Sequence, residues 1–324
     1  MPAPRRSDKL NLLHPIQFFF IRMLDYAALS ALHAVVREGS FERAARALNV
    51  TPSAVSQRVR LLEERVGCAL VRRGPPCTAT DAGQRLCRHV DEVRLLEHEL
   101  GGALPALPAA RGGPAAPPAR VRLPVAVNAD SLATWFLPAA ARFAAGAPVL
   151  LDLAVDDQDH TAERLRSGTV LAAVTALAQP APGCSVRALG AMRYVAVASP
   201  AVAARHFARG VGARSLAEAP SLRYDAKDEL QAHWARRACR RPVALPEHRV
   251  PSSQAFLEAA RLGMGWGLLP LLQAAPALAD GSLVELVPDS ALDVRLYWQH
   301  ARAASGLVEE LTRAVAAAAR EALH

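Results

Sequence analysis

The chain has 324 residues, a length that suits two or three folded units. With 52% hydrophobic and 21% charged residues it is globular in composition and excludes a disordered chain, while 5% aromatics leave the cores mostly aliphatic. The 38 basic residues exceed the 30 acidic ones, all but Lys9 and Lys227 of the basic set being arginine, a balance that permits a polyanionic partner without requiring one.

Residues 1–22 read as a loosely ordered N-terminal extension. Arg5, Arg6 and Lys9 precede the apolar Phe18–Ile21, but Asn11, His14, Pro15 and Gln17 interrupt the run and no small-residue cleavage site follows. Met23 stands directly before the first well-patterned helix. No stretch reaches the roughly 18 apolar residues a membrane helix needs, so no membrane partner is expected.

Residues 23–80 predict an all-α winged helix-turn-helix. Leu29, Leu32 and Val36 recur at helical spacing over 25–37, and Gly39 stops that helix. Ser40 caps a short second helix over 41–48 that is rich in alanine, and Asn49-Val50 make the turn. Thr51 caps a third helix over 52–66, with Pro52 at its first position. Val55, Val59, Leu62 and Val66 form its apolar stripe, and Ser53, Ser56, Gln57 and Arg60 occupy the opposite face. A helix about 10–12 Å across fits the DNA major groove, where serine and glutamine at its N-terminal end meet base edges. Two short extended pieces around Gly74-Pro75-Pro76 then read as a wing. Seven arginines between Arg43 and Arg73 face two glutamates, a local excess of five positive charges. The candidate DNA-binding residues are therefore Arg43, Thr51, Pro52, Ser53, Ser56, Gln57, Arg58, Arg60, Arg72 and Arg73, the last two for phosphates or the minor groove.

Residues 81–100 continue as a helix with Leu86, Val90, Val93, Leu96 and Leu100 on one seam, which suits a partner helix and hence a homodimer on a pseudo-palindromic site; packing onto the same chain is the alternative. Residues 101–120 hold five prolines and four glycines and read as a linker. Residues 121–324 alternate strands (120–127, 149–155, 170–175, 194–198, 222–224, 266–269, 283–286, 294–299) with helices (131–145, 161–167, 228–238, 252–262, 306–323), which predicts α/β layers around a largely parallel sheet.

FERAARALNVTPSAVSQRVRLLEERVGCALVRR and TATDAGQRL resemble the LysR-type transcriptional regulators. LPVAVNADSLATWFLPA, ERLRSGTVLAAV, LGAMRYVAVAS, VPSSQAF and LYWQHAR are similar to the arginine- and lysine-responsive (ArgP/LysG-like) branch, which controls basic amino-acid exporters. The resemblance implies a DNA-binding regulator of the cytoplasm that pairs into dimers and dimers of dimers and works with RNA polymerase. It implies a two-lobed, type 2 periplasmic-binding-protein-like effector domain, with lobe I about 121–192 and 270–324 and lobe II about 193–269. The chain would cross between lobes near 193–199 and 266–270, and L-lysine or L-arginine would sit in the cleft.

The strand-to-helix turn Asn128-Ala129-Asp130-Ser131 is where such sheets bind ligands. Ser131 and free helix amides would take a carboxylate and Asp130 an ammonium, although both side chains equally suit a plain helix cap. Trp135 walls the cleft or belongs to the core, and Thr175 ends a strand toward the same crevice. Asp225 ends a strand of the second lobe and Ser252-Ser253 open a helix there, a second cap that would serve as an anion site. Asp225 and Asp228 would favour a cationic side chain or stand as solvated surface, and the candidate effector-binding residues are Asn128, Asp130, Ser131, Trp135, Thr175, Asp225, Ser252 and Ser253. No catalytic or metal-binding residue and no cofactor is predicted. Gly-x-Ser-x-Gly and Walker-type loops are missing, the histidines are isolated, and five scattered cysteines without a Cys-x-x-Cys pair fit reduced thiols. Two other functions share parts of this pattern: a solute-binding protein of a transporter, and a ligand-independent architectural or replication-modulating DNA binder.

Overall fold

The computed structural model describes residues 24–103, 121–147, 149–155, 158–167, 169–302 and 306–324, so the predicted N-terminal extension and most of the predicted linker lie outside it. Contacts divide the chain after Ala79 into two compact units.

The first unit is built from α1 (Tyr26–Glu38), α2 (Phe41–Leu48), α3 (Pro52–Val66), β1 (Val71–Arg72) and β2 (Thr78–Ala79). Local chemistry sets each boundary. Asp25 accepts from the amides of Ala27 and Ala28, Ser40 from Arg43 and Thr51 from Ala54, so three helix starts satisfy otherwise orphaned N–H groups. Gly39, Asn49 and Gly67 end the helices at φ of 68°, 57° and 82°, a left-handed conformation that glycine and asparagine tolerate. Leu29, Leu32, Val35, Ala44, Ala45, Val55, Val59 and Leu62 form the core. Val66, predicted to complete the α3 stripe, is 42% exposed, because the helix has outrun the body it packs on.

The second unit begins with α4 (Asp81–Ala103), which runs through Gly101 and Gly102 into the segment predicted as linker. Its predicted seam divides. Val90 is buried, as are Cys87 and Leu95, and Leu95 joins the core around Leu123 and Val125. Leu96 and Leu100 remain 55% and 50% exposed. Arg88 donates to the Arg166 carbonyl at 3.3 Å and Glu99 accepts the Leu307 amide at 2.9 Å, so one face of α4 is bound to its own unit.

The remaining elements are β3 (Val121–Val127), α5 (Ala129–Ser131), a π-helical stretch Leu132–Phe136, α6 (Leu137–Gly146), β4 (Val149–Val155), α7 (Gln158–Ser167), β5 (Ala172–Thr175), β6 (Cys184–Ala198), α8 (Pro200–Phe207), α9 (Ala213–Glu218), β7 (Ser221–Arg223), α10 (Leu230–Cys239), β8 (Glu247–Arg249), α11 (Ser253–Arg261), β9 (Gly267–Pro270), α12 (Leu271–Ala279), β10 (Val284–Glu285), β11 (Leu292–Ala301) and α13 (Gly306–Ala322). The main sheet runs β10-β6-β11-β5-β3-β4, with β9 on β6. It is mixed rather than largely parallel: β3 is parallel to β4 and β5, while β6 and β11 form a long antiparallel pair that also joins β5, β9 and β10.

Strand β6 is 15 residues long, where only its last five were predicted. It pairs with β11 from Cys184 to Tyr194 and with β9 from Tyr194 to Val197, so it passes from one half of the domain to the other. β9 and β10 both pair with its far end, and the strand that returns beside its first half is β11, starting at Leu292. The return thus follows β10 instead of lying at 266–270, because the chain completes α12 and β10 on the far half first.

Candidate functional site

The surface of α3 forms the first candidate site. Thr51 spends its hydroxyl oxygen on the Ala54 amide and lies 3.0 Å from the Ser53 hydroxyl. Thr51, Pro52, Ser53, Gln57 and Arg60 are exposed, whereas Ser56 and Arg58 are half-buried. Arg60 pairs with Glu64 at 2.9 Å on open surface, a contact that water and salt weaken. Arg43 and Arg72 are exposed, and Arg73 stands over the Phe41 ring at 5.4 Å, a cation–π contact that links the wing to the start of α2. One residue the sequence left unassigned organises the wing: Glu63 accepts the Leu70 and Val71 amides through one carboxylate oxygen, at 2.8 and 3.3 Å. The arrangement presents a polar helix face flanked by arginines, with the acid beside it already engaged.

The second candidate site surrounds Asp130 in the β3–α5 turn. Asn128, not Asp130 or Ser131, is the cap: its side chain accepts the Ser131 amide at 3.2 Å. Ser131 is fully buried and its oxygen accepts the indole N–H of Trp135 at 3.1 Å. The Ser131 amide expected to help hold a ligand carboxylate is therefore engaged within the turn, its hydroxyl serves as acceptor to the indole, and Trp135 sits in the core, edge-on to Phe136.

Asp130 instead meets two other elements, β6 and α11. One oxygen accepts the Tyr194 hydroxyl of β6 at 2.7 Å, and the other lies 2.7 Å from the Ser253 hydroxyl at the start of α11. Burial is the main influence on its carboxyl and raises its pKa; the Ser253 and Tyr194 hydrogen bonds oppose this, and Asp228 adds a like charge that raises it further. Burial and the Asp130 charge push the Tyr194 phenol well above its ordinary value, and burial, Asp130 and Asp225 raise Tyr224.

Thr175 is buried at the end of β5 and accepts the Leu177 amide. Asp225 accepts the Lys227 and Asp228 amides, and Asp228 those of Tyr224 and Leu230, so both acids shape the loop between β7 and α10. Ser252 caps α11 through the Ala255 amide. Tyr194 and Gln273 were missed by the sequence reading. Each carried a faint signal, as the polar member of an otherwise aliphatic stretch, YVAVA and LLQAAPALA. Among the described residues no group of three or more His, Cys, Asp or Glu side chains is arranged to hold a metal.

A winged helix-turn-helix followed by a mixed α/β unit matches a known pair of domains. Residues 26–84 match the bacterial regulatory helix-turn-helix domain of the LysR family, and residues 118–320 match the LysR substrate-binding domain. The chain belongs to the LysR family of transcriptional regulators. It is 48% identical over 296 residues to the regulator LysG of Mycobacterium tuberculosis, covering 91% of this chain and 94% of that one. It is 44% identical over 294 residues to ArgP of Pseudomonas fluorescens, covering 91% and 96%. Among solved structures, ArgP from Mycobacterium tuberculosis superposes with a TM-score of 0.79 at 44% identity, covering 93% of this chain and 99% of that one. Full-length LysG from Corynebacterium glutamicum with bound effector Arg gives 0.69 at 39% identity, covering 93% and 100%. No helix among the described residues of this LysR-family chain is long and apolar enough to cross a membrane.

Proposed function

We propose that this LysR-type regulator senses a basic amino acid, L-lysine or L-arginine, and controls the gene of an amino-acid exporter. The observation that carries the effector reading is the Asp130 carboxyl, held at a strand-to-helix turn by two hydroxyls, with the acidic side chain of Asp228 acting on it. A buried carboxyl in acidic company gains most from a ligand ammonium. The bound arginine of the Corynebacterium glutamicum relative supports the same chemistry. On the DNA side, Ser53, Ser56 and Gln57 read base edges while Arg43, Arg58, Arg60, Arg72 and Arg73 meet phosphates, with Thr51 and Pro52 setting the helix start. The exposed Leu96 and Leu100 of α4 suit a second copy, giving a dimer, and then a dimer of dimers, on a pseudo-palindromic operator. A protein that reads the chromosome and meets RNA polymerase works in the cytoplasm, without cofactor or catalysis.

The test is calorimetric titration of the full chain with L-lysine and L-arginine, alongside Asp130→Asn and Asp130→Ala. Both variants should lose amino-acid binding by 100-fold or more, on the order of 3 kcal/mol for an unpaired ammonium, and retain operator binding. Unchanged amino-acid affinity in Asp130→Asn would remove Asp130 from the site.

A further inference from the structure

The contacts around Asp130 can be counted in hydrogens. Gln273 on α12 is buried and directs its amide N–H to the Ser253 carbonyl at 3.1 Å. A carbonyl only accepts, so this bond fixes the orientation of the amide and turns the Gln273 oxygen toward the Ser253 hydroxyl, also at 3.1 Å. Ser253 then has one hydrogen and two acceptors beside it, the Gln273 oxygen and Asp130. Three contacts run in series: Tyr194 to Asp130, Asp130 to Ser253, and Ser253 to Gln273. With Asp130 ionised, the tyrosine and the serine bring two hydrogens to these three contacts. A third hydrogen on Asp130 satisfies them all: Tyr194 donates to one carboxyl oxygen, the other donates to Ser253, and Ser253 donates to Gln273.

We propose that Gln273 is a positioning residue that commits the Ser253 hydrogen to itself, so that the empty site holds Asp130 as a neutral acid and a ligand ammonium enters in exchange for one proton. The inference rests on the effector reading given above. The surroundings agree with it. The titratable groups acting on Asp130 are Tyr194 from β6 and, from the segment after β7, Tyr224 and Asp228; Ser253 and Gln273 carry no charge. Burial, the largest influence, and the like charge of Asp228 favour the protonated carboxyl; the Tyr194 bond opposes them, and the Ser253 bond opposes them only where Ser253 donates to Asp130 rather than to Gln273. The exchange balances: the O–H bond of Asp130 breaks, its proton passes to solvent, and the ammonium arrives already protonated. Net charge at the carboxyl and its partner is zero before and after, which spares the domain an isolated buried charge in either state.

The sign follows. Asp130 carries a raised pKa when the site is empty and a lower one beside the ammonium. Ligand affinity therefore rises with pH through that interval and levels above the empty-site value. Lysine and arginine themselves take up or lose almost no proton between pH 5 and 8.

The experiment is titration of L-arginine into the full chain from pH 5 to pH 8, in pairs of buffers with unlike ionisation enthalpies. The expected result is net proton release on arginine binding that grows toward the acid end, with Kd rising up to tenfold for each pH unit lowered. Gln273→Leu frees the Ser253 hydrogen for Asp130, so proton release should fall and acid-side affinity should improve, an effect that simple loss of packing would not give. Tyr194→Phe removes one contact and one hydrogen together, so the exchange should persist. Equal heats in both buffers with a flat Kd would overturn the proposal while leaving the effector reading intact. Failure of both lysine and arginine to bind at every pH would overturn the effector reading and this inference with it.

Discussion

Glu63 offers the sharpest test of how the wing is held. One of its oxygens accepts two consecutive wing amides, Leu70 at 2.8 Å and Val71 at 3.3 Å. Glu63→Ala removes both hydrogen bonds at once. Hydrogen bonds to a charged group are worth about 1.5–3 kcal/mol, and the short contact should carry most of this, so about 2 kcal/mol is lost from local stability. That is a roughly 30-fold rise in the population of the open wing. Glu63→Gln deletes the charge but keeps a carbonyl oxygen at the same position, and should recover at least half of the loss. The assay is amide hydrogen exchange on the full chain, followed across 68–73 and, as an internal control, across α1. Glu63→Ala should accelerate exchange by 10- to 100-fold in the wing and leave Leu29 and Leu32 protected. Operator affinity alone would mislead, since removing a negative charge from an arginine-rich surface strengthens phosphate attraction in both variants; the difference between the alanine and glutamine variants isolates the anchoring. Wild-type exchange at Leu70 and Val71 in Glu63→Ala would refute the reasoning.

Other outcomes follow from single contacts. Phe41→Leu removes the ring under Arg73 and should weaken binding to all DNA sequences two- to fivefold, matching about 0.5–1 kcal/mol for an exposed cation–π pair, as read by filter binding on operator and random duplexes. Ser56→Ala or Gln57→Ala should cost about 1–3 kcal/mol on the operator only, and equal losses on random DNA would speak against base reading. Gly265→Ala would place a methyl carbon 2.4 Å from the Pro220 carbonyl oxygen, a backbone atom that cannot swing away, whereas at Gly267 the obstacle is the Phe256 ring. Thermal denaturation should therefore show Gly265→Ala lowering the transition by more than Gly267→Ala, each by overpacking of about 1–3 kcal/mol or above.

The N-terminal unit was almost wholly legible because its determinants are local. Ser40, Asn49 and Thr51 act on amides or turns within four residues, so capping rules read from a string of letters place α2 and α3 nearly to the residue. The second unit was legible as alternating elements and much less as a sheet. The first part of β6, CSVRALGAMR, alternates small, polar and apolar residues, and Gly190 at φ 126° next to a register shift breaks the pattern that would mark a strand. The aspartate at the β3–α5 turn stood out as an acid where a helix begins. Ser253 stood out only as the opening of a helix and Tyr194 not at all, and neither contact was legible, since Tyr194 and Ser253 lie 64 and 123 residues away and meet the aspartate only through the pairing of β6 and the placement of α11. The partner of Ser131 was hidden for a related reason: a serine that opens a helix shows nothing in its letter of the tryptophan one turn later that donates to it.

Tyr194 occupies an unusual position in the topology. Its backbone is the last rung of the ladder with β11 and the first with β9, paired to Leu292 and to Pro270. Its side chain ends on Asp130. The handover between the two ladders and the hydroxyl that donates to Asp130 therefore belong to one amino acid, so that a change at the Asp130 carboxyl would reach that handover without any relay of intervening side chains.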